Sequence, residues 1–150
     1  MTLSNGLQIR AGRPTDFAAA LELLKQSGLP TAGVPATLEG YVVVVTPAGS
    51  LAGLAGLERY GTEGLLRSVV VAPELRGTGL GKALSERVVS EAGKRGVTDL
   101  YLLTTTAEGY FPKLGFAAIA KNAIPSGVQQ SLEFRGACPD TAIAMHLALG

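Results

Sequence analysis

From Val69 to Lys82 the chain reads Val-Val-Val-Ala-Pro-Glu-Leu-Arg-Gly-Thr-Gly-Leu-Gly-Lys, a β-branched run feeding a glycine-rich turn that opens into an amphipathic helix. Glycine permits positive φ and lets a ligand approach without a Cβ in the way. The first turn of a helix leaves N–H groups unpaired, and the helix dipole adds to them, so such a turn suits a pyrophosphate. Arg76 and Lys82 place positive charge at either end of it. Two familiar phosphate motifs do not fit. A Walker loop needs glycine five residues before Gly81 and Ser or Thr after the lysine, where this chain has Arg76 and Ala83. A dinucleotide fingerprint needs Gly-x-Gly-x-x-Gly in an early βαβ unit, whereas the spacing here is Gly77-x-Gly79-x-Gly81 after four predicted strands. Arg67 is the second notable group. Alternation along its strand places it in phase with Val69 and Val71, and an arginine among so many apolar neighbours needs an anion. Either a substrate carboxylate, by bidentate pairing, or a structural salt bridge would supply one.

These groups need a folded frame, and the composition provides for one. The chain has 150 residues, 47% hydrophobic and 17% charged, which is too apolar and too weakly charged for a disordered segment. A net charge of +1 supports neither a broad nucleic-acid patch nor a polybasic membrane anchor. Single cysteine and histidine residues, Cys138 and His146, disfavour an internal disulfide and a zinc site, so no metal is expected. The N-terminus lacks a leader pattern and no segment suits a membrane span, so a cytoplasmic single domain over 1–150 is the expectation.

The element order is that of one mixed α/β domain. Strands are predicted over 7–10, 41–45, 51–60 and 65–71, with a helix after Pro14-Thr15-Asp16 that ends at Gly28 and Pro30. Gly61 to Gly64 is read as the turn before the fourth strand. A helix then runs over 79–95, where Leu80, Leu84, Val88 and Ala92 share a face. A strand over 99–104, a short helix over 107–114, a strand over 116–120, an irregular stretch over 124–140 and a last strand over 141–149 complete the chain. The run 125–135 is long enough for a substrate-covering loop, with Gln129, Gln130 and Arg135 as its polar groups.

The stretch Arg76-Gly77-Thr78-Gly79-Leu80-Gly81 fits the pattern Arg/Gln-x-x-Gly-x-Gly/Ala. Following a strand and Pro73, it resembles the acyl-CoA pyrophosphate loop of the GNAT superfamily of N-acetyltransferases. Phe111-Pro112-Lys113-Leu114-Gly115-Phe116 looks like that family's later helix-to-strand turn. The resemblance implies a GNAT-like acyl-CoA N-acyltransferase fold, α/β (α+β), with a mixed, mostly antiparallel sheet flanked by helices. Leu57-Glu58-Arg59-Tyr60, Gly64 to Ser68, Leu102 to Glu108 and the tail around Glu133-Phe134 and Cys138-Pro139 look like the arsenic-resistance N-acetyltransferase family. The Leu-Leu-Thr-Thr stretch is also similar to the acetyltransferase domain of N-acetylglutamate synthases. Both relatives imply an α-amino acid, or an analogue of one, as acceptor. A protein N-terminus, an antibiotic amine, or a catalytically silent acyl-CoA sensor are the alternatives.

The implied reaction is direct attack of a neutral amine on acetyl-CoA, with much of the rate coming from holding two reactants together. The resemblance assigns the cofactor to Val69, Val70, Val71, Arg76, Gly77, Thr78, Gly79, Leu80, Gly81 and Lys82. Backbone groups of Val69 and Val71 would pair with the pantetheine as with an added strand. A base must deprotonate the ammonium. Glu58 is the first candidate, against the reading of a solvated strand-end carboxylate, and Glu63 and Glu108 follow. Thr104 and Thr105 are candidate acceptor contacts beside Arg67, although β-propensity alone also explains threonines there. Many members carry a tyrosine acid where this chain has Phe111; Tyr110, one residue earlier and rotated by about 100° on a helix, is the candidate acid in its place. Cys138 and His146 read as structural, and the superfamily's habit of pairing through terminal strands implies a homodimer.

Overall fold

The computed structural model describes residues 6–29, 31, 33–104, 111–129 and 143–149. Seven strands, β1 (Gln8–Ala11), β2 (Tyr41–Val45), β3 (Leu51–Tyr60), β4 (Glu63–Val71), β5 (Asp99–Thr104), β6 (Ala117–Ile119) and β7 (Ile143–Ala148), form one sheet in the order β1-β2-β3-β4-β5-β7-β6. Every neighbouring pair is antiparallel except β4–β5, which is parallel. That pair needs a crossover, and the helix α2 (Leu80–Lys94) supplies it. The earlier helix, α1 (Phe17–Gln26), follows a 3₁₀ turn over Pro14–Asp16.

The two helices cover opposite faces. On α2, Leu80, Leu84, Val88 and Ala92 pack with Val42, Val44, Leu57, Leu66, Leu100 and Leu102. On α1, Ala20, Leu23 and Leu24 pack with the alternate positions Tyr41, Val43, Leu54 and Val70. Because both faces are covered, β2 reads as a continuous β-branched run, Tyr-Val-Val-Val-Val, without polar alternation. A third cluster joins Leu65, Tyr101 and Ala144 to Ile124 and Val128, beside a helical turn over 126–129.

Strands 41–45, 51–60 and 99–104 end where the sequence places them. The fourth strand starts two residues earlier than expected. Tyr60 pairs with Glu63, so the turn is only Gly61-Thr62 and Gly64 belongs to the ladder. In the region expected to be helical over 107–114, the described part is a 3₁₀ turn, Pro112–Leu114. The stretch expected to be irregular opens with the helical turn at 126–129.

Two features of β4 prepare the site. Its parallel pairing with β5 extends only through Glu63↔Asp99, Gly64↔Leu100 and Leu65↔Tyr101. Beyond Leu65 the strands part, which leaves one edge of residues 66–71 without a strand partner among the described residues. On the other edge the register with β3 slips between Leu54 and Gly56, so that Gly56 faces Arg67 while Leu54 faces Val70. Ser68 sits in this bulge with φ of +60°, in the left-handed region.

Candidate functional site

The glycine-rich turn has the geometry its sequence requires. Gly77 and Gly79 adopt φ of +81° and +84°, and Gly79 caps the start of α2. A Cβ at either would meet no protein atom within 4 Å, so backbone conformation, not crowding by the protein, selects glycine there. The Gly79 carbonyl accepts the first helical bond, from Ala83 N–H at 3.1 Å. Among the described residues, the N–H groups of Gly77, Thr78, Gly79, Leu80, Gly81 and Lys82 donate to no protein acceptor. Those donors and the positive end of a 15-residue helix make a cradle for an anion. Thr78 braces the turn from within, its hydroxyl donating to the Leu75 carbonyl at 2.6 Å.

A cavity of about 490 Å³ adjoins this cradle. It brings together Val69, Val70, Val71, Arg76, Gly77, Gly79, Leu80, Gly81 and Lys82; Thr78 is the one expected cofactor position outside its lining. Ser27 and Leu29, just past α1, complete the wall, and Arg76 Nη2 donates to Ser27 Oγ at 3.4 Å. Ala72 N–H is committed to Ala52 O across β3 at 2.8 Å. Strand alternation therefore turns the N–H and C=O of Val71 and Val69 towards the edge that β5 has left. Arg76 Nε reaches the Val71 carbonyl at 3.3 Å. Val70 is 5% exposed and packs under α1, so its side chain belongs to the core. An extended group ending in a pyrophosphate fits this arrangement, lying along the open edge of β4 with its phosphates on unpaired N–H groups.

On the sheet face that carries α1, a polar group lies within the apolar packing. Arg67, with a side chain only 4% exposed, donates from Nη1 to Glu58 Oε2 at 2.8 Å. Its Nε donates to Ser68 Oγ at 2.8 Å. Tyr60 OH donates to Glu58 Oε1 at 2.6 Å, and Tyr41 OH lies 3.4 Å from Ser68 Oγ. The row Tyr41–Gly56–Arg67 crosses three strands in register. A Cβ on Gly56 would come within 2.4 Å of the Tyr41 ring, so the missing side chain is what lets that ring lean across β3.

The bulge also corrects the expected phase of Arg67. Simple alternation puts it with Val69 and Val71, but the extra residue at Ser68 rotates it onto the face of Val70 and Leu54. Arg67 and Glu58 are thus brought together on one face. Both the substrate-carboxylate reading and the structural-bridge reading of Arg67 involve the same ion pair. Thr104 follows the parity of Leu100 and Leu102 along β5, which places it on the α2 face, away from that pair. Glu63 begins β4 opposite Asp99, at the far end of the strand from the cavity. Phe111 is 8% exposed and packs edge-on to Phe116, with ring centroids 6.0 Å apart. Gln129 donates to the Ile124 carbonyl at 2.8 Å. Thr105, Glu108, Tyr110, Gln130, Arg135 and Cys138 lie outside the described residues.

His146 pairs with Asp99, Nε2 to Oδ1 at 2.8 Å, and its ring lies 5.0 Å from that of Tyr101. That hydrogen bond, with a smaller one from Thr98, holds the Asp99 carboxyl below the usual aspartate range. Burial first, then the charges of Asp99 and Glu63, pushes the Tyr101 phenol up. Among the described residues no group of three or more potential metal ligands occurs.

Sequence reasoning did not single out Tyr41, Tyr60, Ser68 or Ser27. Tyr41 and Tyr60 fall within strand runs, and Ser27 only precedes the Gly28 at which the helix is expected to end. No glycine or asparagine marks the left-handed position at 68.

A fold with a split parallel pair and a glycine-rich anion cradle at the start of the crossover helix defines a class, and the sequence agrees with it. Residues 38–118, more than half of the chain, match the acetyltransferase (GNAT) domain family. The chain belongs to that family. It is 24% identical over 143 residues to the amino-acid acetyltransferase of Escherichia coli K12, covering 90% of this chain and 32% of that protein. N-acetylglutamate synthase from Neisseria gonorrhoeae, solved with coenzyme A and N-acetyl-glutamate, superposes with a TM-score of 0.77 at 20% identity, over 96% of this chain and 35% of its own. A Mycobacterium tuberculosis protein solved with CoA gives a TM-score of 0.77 at 20% identity, over 95% of this chain and 99% of its own. The chain spans 19% to 32% of the length of the curated amino-acid acetyltransferases it matches.

Proposed function

We propose that this domain is an acetyl-CoA-dependent N-acetyltransferase whose acceptor is a small amine bearing a carboxylate, an α-amino acid or an analogue of one. The observation that carries the reading is the Glu58–Arg67 pair, which joins β3 to β4, the guanidinium buried and the carboxylate partly so, with β4 also carrying the edge that lines the cavity. A carboxylate and a guanidinium held 2.8 Å apart are the charge complement of a zwitterion. A substrate carboxylate on Arg67 and an ammonium beside Glu58 would give four alternating charges. The amino-acid acetyltransferase relatives support the same class of acceptor.

Bound acetyl-CoA would supply the thioester carbonyl that the amine attacks. Gly77 to Lys82 would hold its phosphates on backbone N–H groups, with Arg76 and Lys82 adding charge. The backbone of Val69 and Val71 would pair with its amides and aim the acyl end along β4. Glu58 would accept the ammonium proton, while Tyr60 and Arg67 keep its carboxylate oriented. Phe111, apolar and packed on Phe116, has no proton to give the leaving thiolate. A thiol's ordinary pKa, about 8.5, lets that group leave as the anion or through water. Arsenical amino acids are proposed within the acceptor class, on the resemblance of residues 57–60, 64–68 and 102–108 to the arsenic-resistance family. A cytoplasmic location and a homodimer are proposed as well.

Thiol release from acetyl-CoA, followed over amino acids, arsenical and phosphonate amino acids, aminoglycosides and peptide N-termini, tests the reading. Turnover confined to small amines with an acidic group is the expected result. Tight acetyl-CoA binding with no turnover on any amine would replace it with a sensor.

A further inference from the structure

We propose that Ser68 is the positioning residue that gives the acceptor site its preference for carboxylates, an inference that rests on the function proposed above. Two of the contacts that hold the Arg67 guanidinium are Nη1 on Glu58 and Nε on Ser68, each at 2.8 Å. Two anchors on a planar fork fix both its direction and the rotation of its plane, which is what bidentate recognition of a carboxylate requires. Glu58 supplies the charged anchor. Ser68 supplies a neutral one, so the second contact orients the guanidinium without cancelling its charge.

The backbone at Ser68 serves the same end. Its φ of +60° is uncommon for a residue other than glycine, and it creates the bulge that turns Arg67 onto the α1 face. The bulge alone would have been met most easily by glycine. A serine kept in a glycine conformation indicates that the hydroxyl has a use, and both its partners are on the page: Arg67 Nε and the Tyr41 hydroxyl. Tyr41 reaches it only because Gly56 leaves the row between them empty. Tyr41, Gly56, Ser68 and Arg67 therefore form one bracket across β2, β3 and β4, and its end point is the orientation of a single cation.

Ser68→Gly separates the two roles of this residue, since glycine keeps the left-handed backbone and removes the hydroxyl. Ser68→Asn restores an acceptor oxygen on a residue that tolerates the conformation. Each variant is assayed with L-glutamate, L-glutamine and L-methionine, and with the amines left when their α-carboxyl groups are removed. For Ser68→Gly the expected result is a melting temperature at or above that of the parent, with KM for the amino acids raised about tenfold. KM for acetyl-CoA, kcat, and KM for the decarboxylated amines should be unchanged, and Ser68→Asn should recover most of the loss. In the ligand-free protein, the Arg67 Nε–H resonance should exchange with water faster in Ser68→Gly than in the parent. An unchanged amino-acid KM, or an unchanged exchange rate, in Ser68→Gly would overturn the positioning role. If the parent itself fails to distinguish amino acids from their decarboxylated amines, the carboxylate-site reading falls, and this inference with it.

Discussion

The two sides of β4 are built from different materials. Towards the cavity, the proposed cofactor site rests on backbone: N–H groups from Gly77 to Lys82 that are unpaired among the described residues, and the edge of β4 at Val69 and Val71. On the α1 face the proposed acceptor site rests on side chains: Glu58, Tyr60, Arg67 and Ser68, linked by hydrogen bonds of 2.6 to 2.8 Å. A backbone site tolerates many side chains but few conformations. A side-chain site has the opposite weakness, since any one member lost leaves the others miscompensated. The first kind can serve one shared cofactor across a family, while the second can be re-specified residue by residue.

The largest expected effect breaks the side-chain half. Arg67→Ala takes the guanidinium from a partly buried Glu58, and the cost of removing one partner of a fully buried pair, about 3–5 kcal/mol, is the upper limit here. In urea denaturation the midpoint should fall accordingly. KM for a carboxylate-bearing amine should rise about 10- to 100-fold while KM for acetyl-CoA holds. Equal changes in both constants would mean that the pair is only structural. Next comes Gly56→Ala, which drives a methyl into the Tyr41 ring and should cost about 1–3 kcal/mol in the same measurement. Its kinetic loss should again fall on the acceptor.

Gly79→Ala tests the backbone half. A left-handed alanine costs roughly 1–2 kcal/mol. In titration calorimetry it should weaken acetyl-CoA binding by about tenfold, leaving the acceptor KM as it was. If both variants altered both substrates alike, the division between the two sides would collapse. The smallest effect lies in neither half. The Arg10 hydrogen bond, chiefly, holds the Asp16 carboxyl below its ordinary range. The stabilisation is therefore complete above the unfolded aspartate pKa of about 3.9 and is lost as pH falls through the lower native value. Asp99 contributes in the same direction. Thermal melts from neutral to acid pH should show a shallower decline in Asp16→Asn than in the parent, with substrate constants at neutral pH unaffected.

The same division explains what could be read from sequence. The cradle follows from local rules, glycine for positive φ and a helix start for unpaired N–H groups, so Arg76 to Lys82 were legible as a ligand loop. Likewise β2, β3, β5 and α2 follow from β-branched runs, turn residues and helical periodicity. The acceptor side depends on a single extra residue in β4. Serine is a common strand residue, and nothing local announces that Ser68 will adopt a left-handed backbone. Missing that bulge reverses the parity of everything before it, which is why Arg67 was expected beside Val69 and Val71. Ser27 reaches the cavity, and Tyr41 reaches Ser68, only through contacts across the fold, which spacing along the chain does not encode.

The brief contact between β4 and β5 has a mechanical meaning. Three register pairs join a four-stranded half of the sheet to a three-stranded half, so this seam, internal to the sheet, is as short as the β6–β7 ladder at its edge. Below it, α2 spans both halves through Leu66, Leu100 and Leu102. Such a seam is where local opening should begin, and amides of β5 and β7 should exchange together, ahead of those in β2 and β3. A molecule wedged into the opening would touch both halves and act as a rivet. At a hundredfold excess over its Kd it would add about 2.7 kcal/mol to the folded state. Saturation and rigidity would then rise together, and the protein would be at its most cohesive when loaded for reaction.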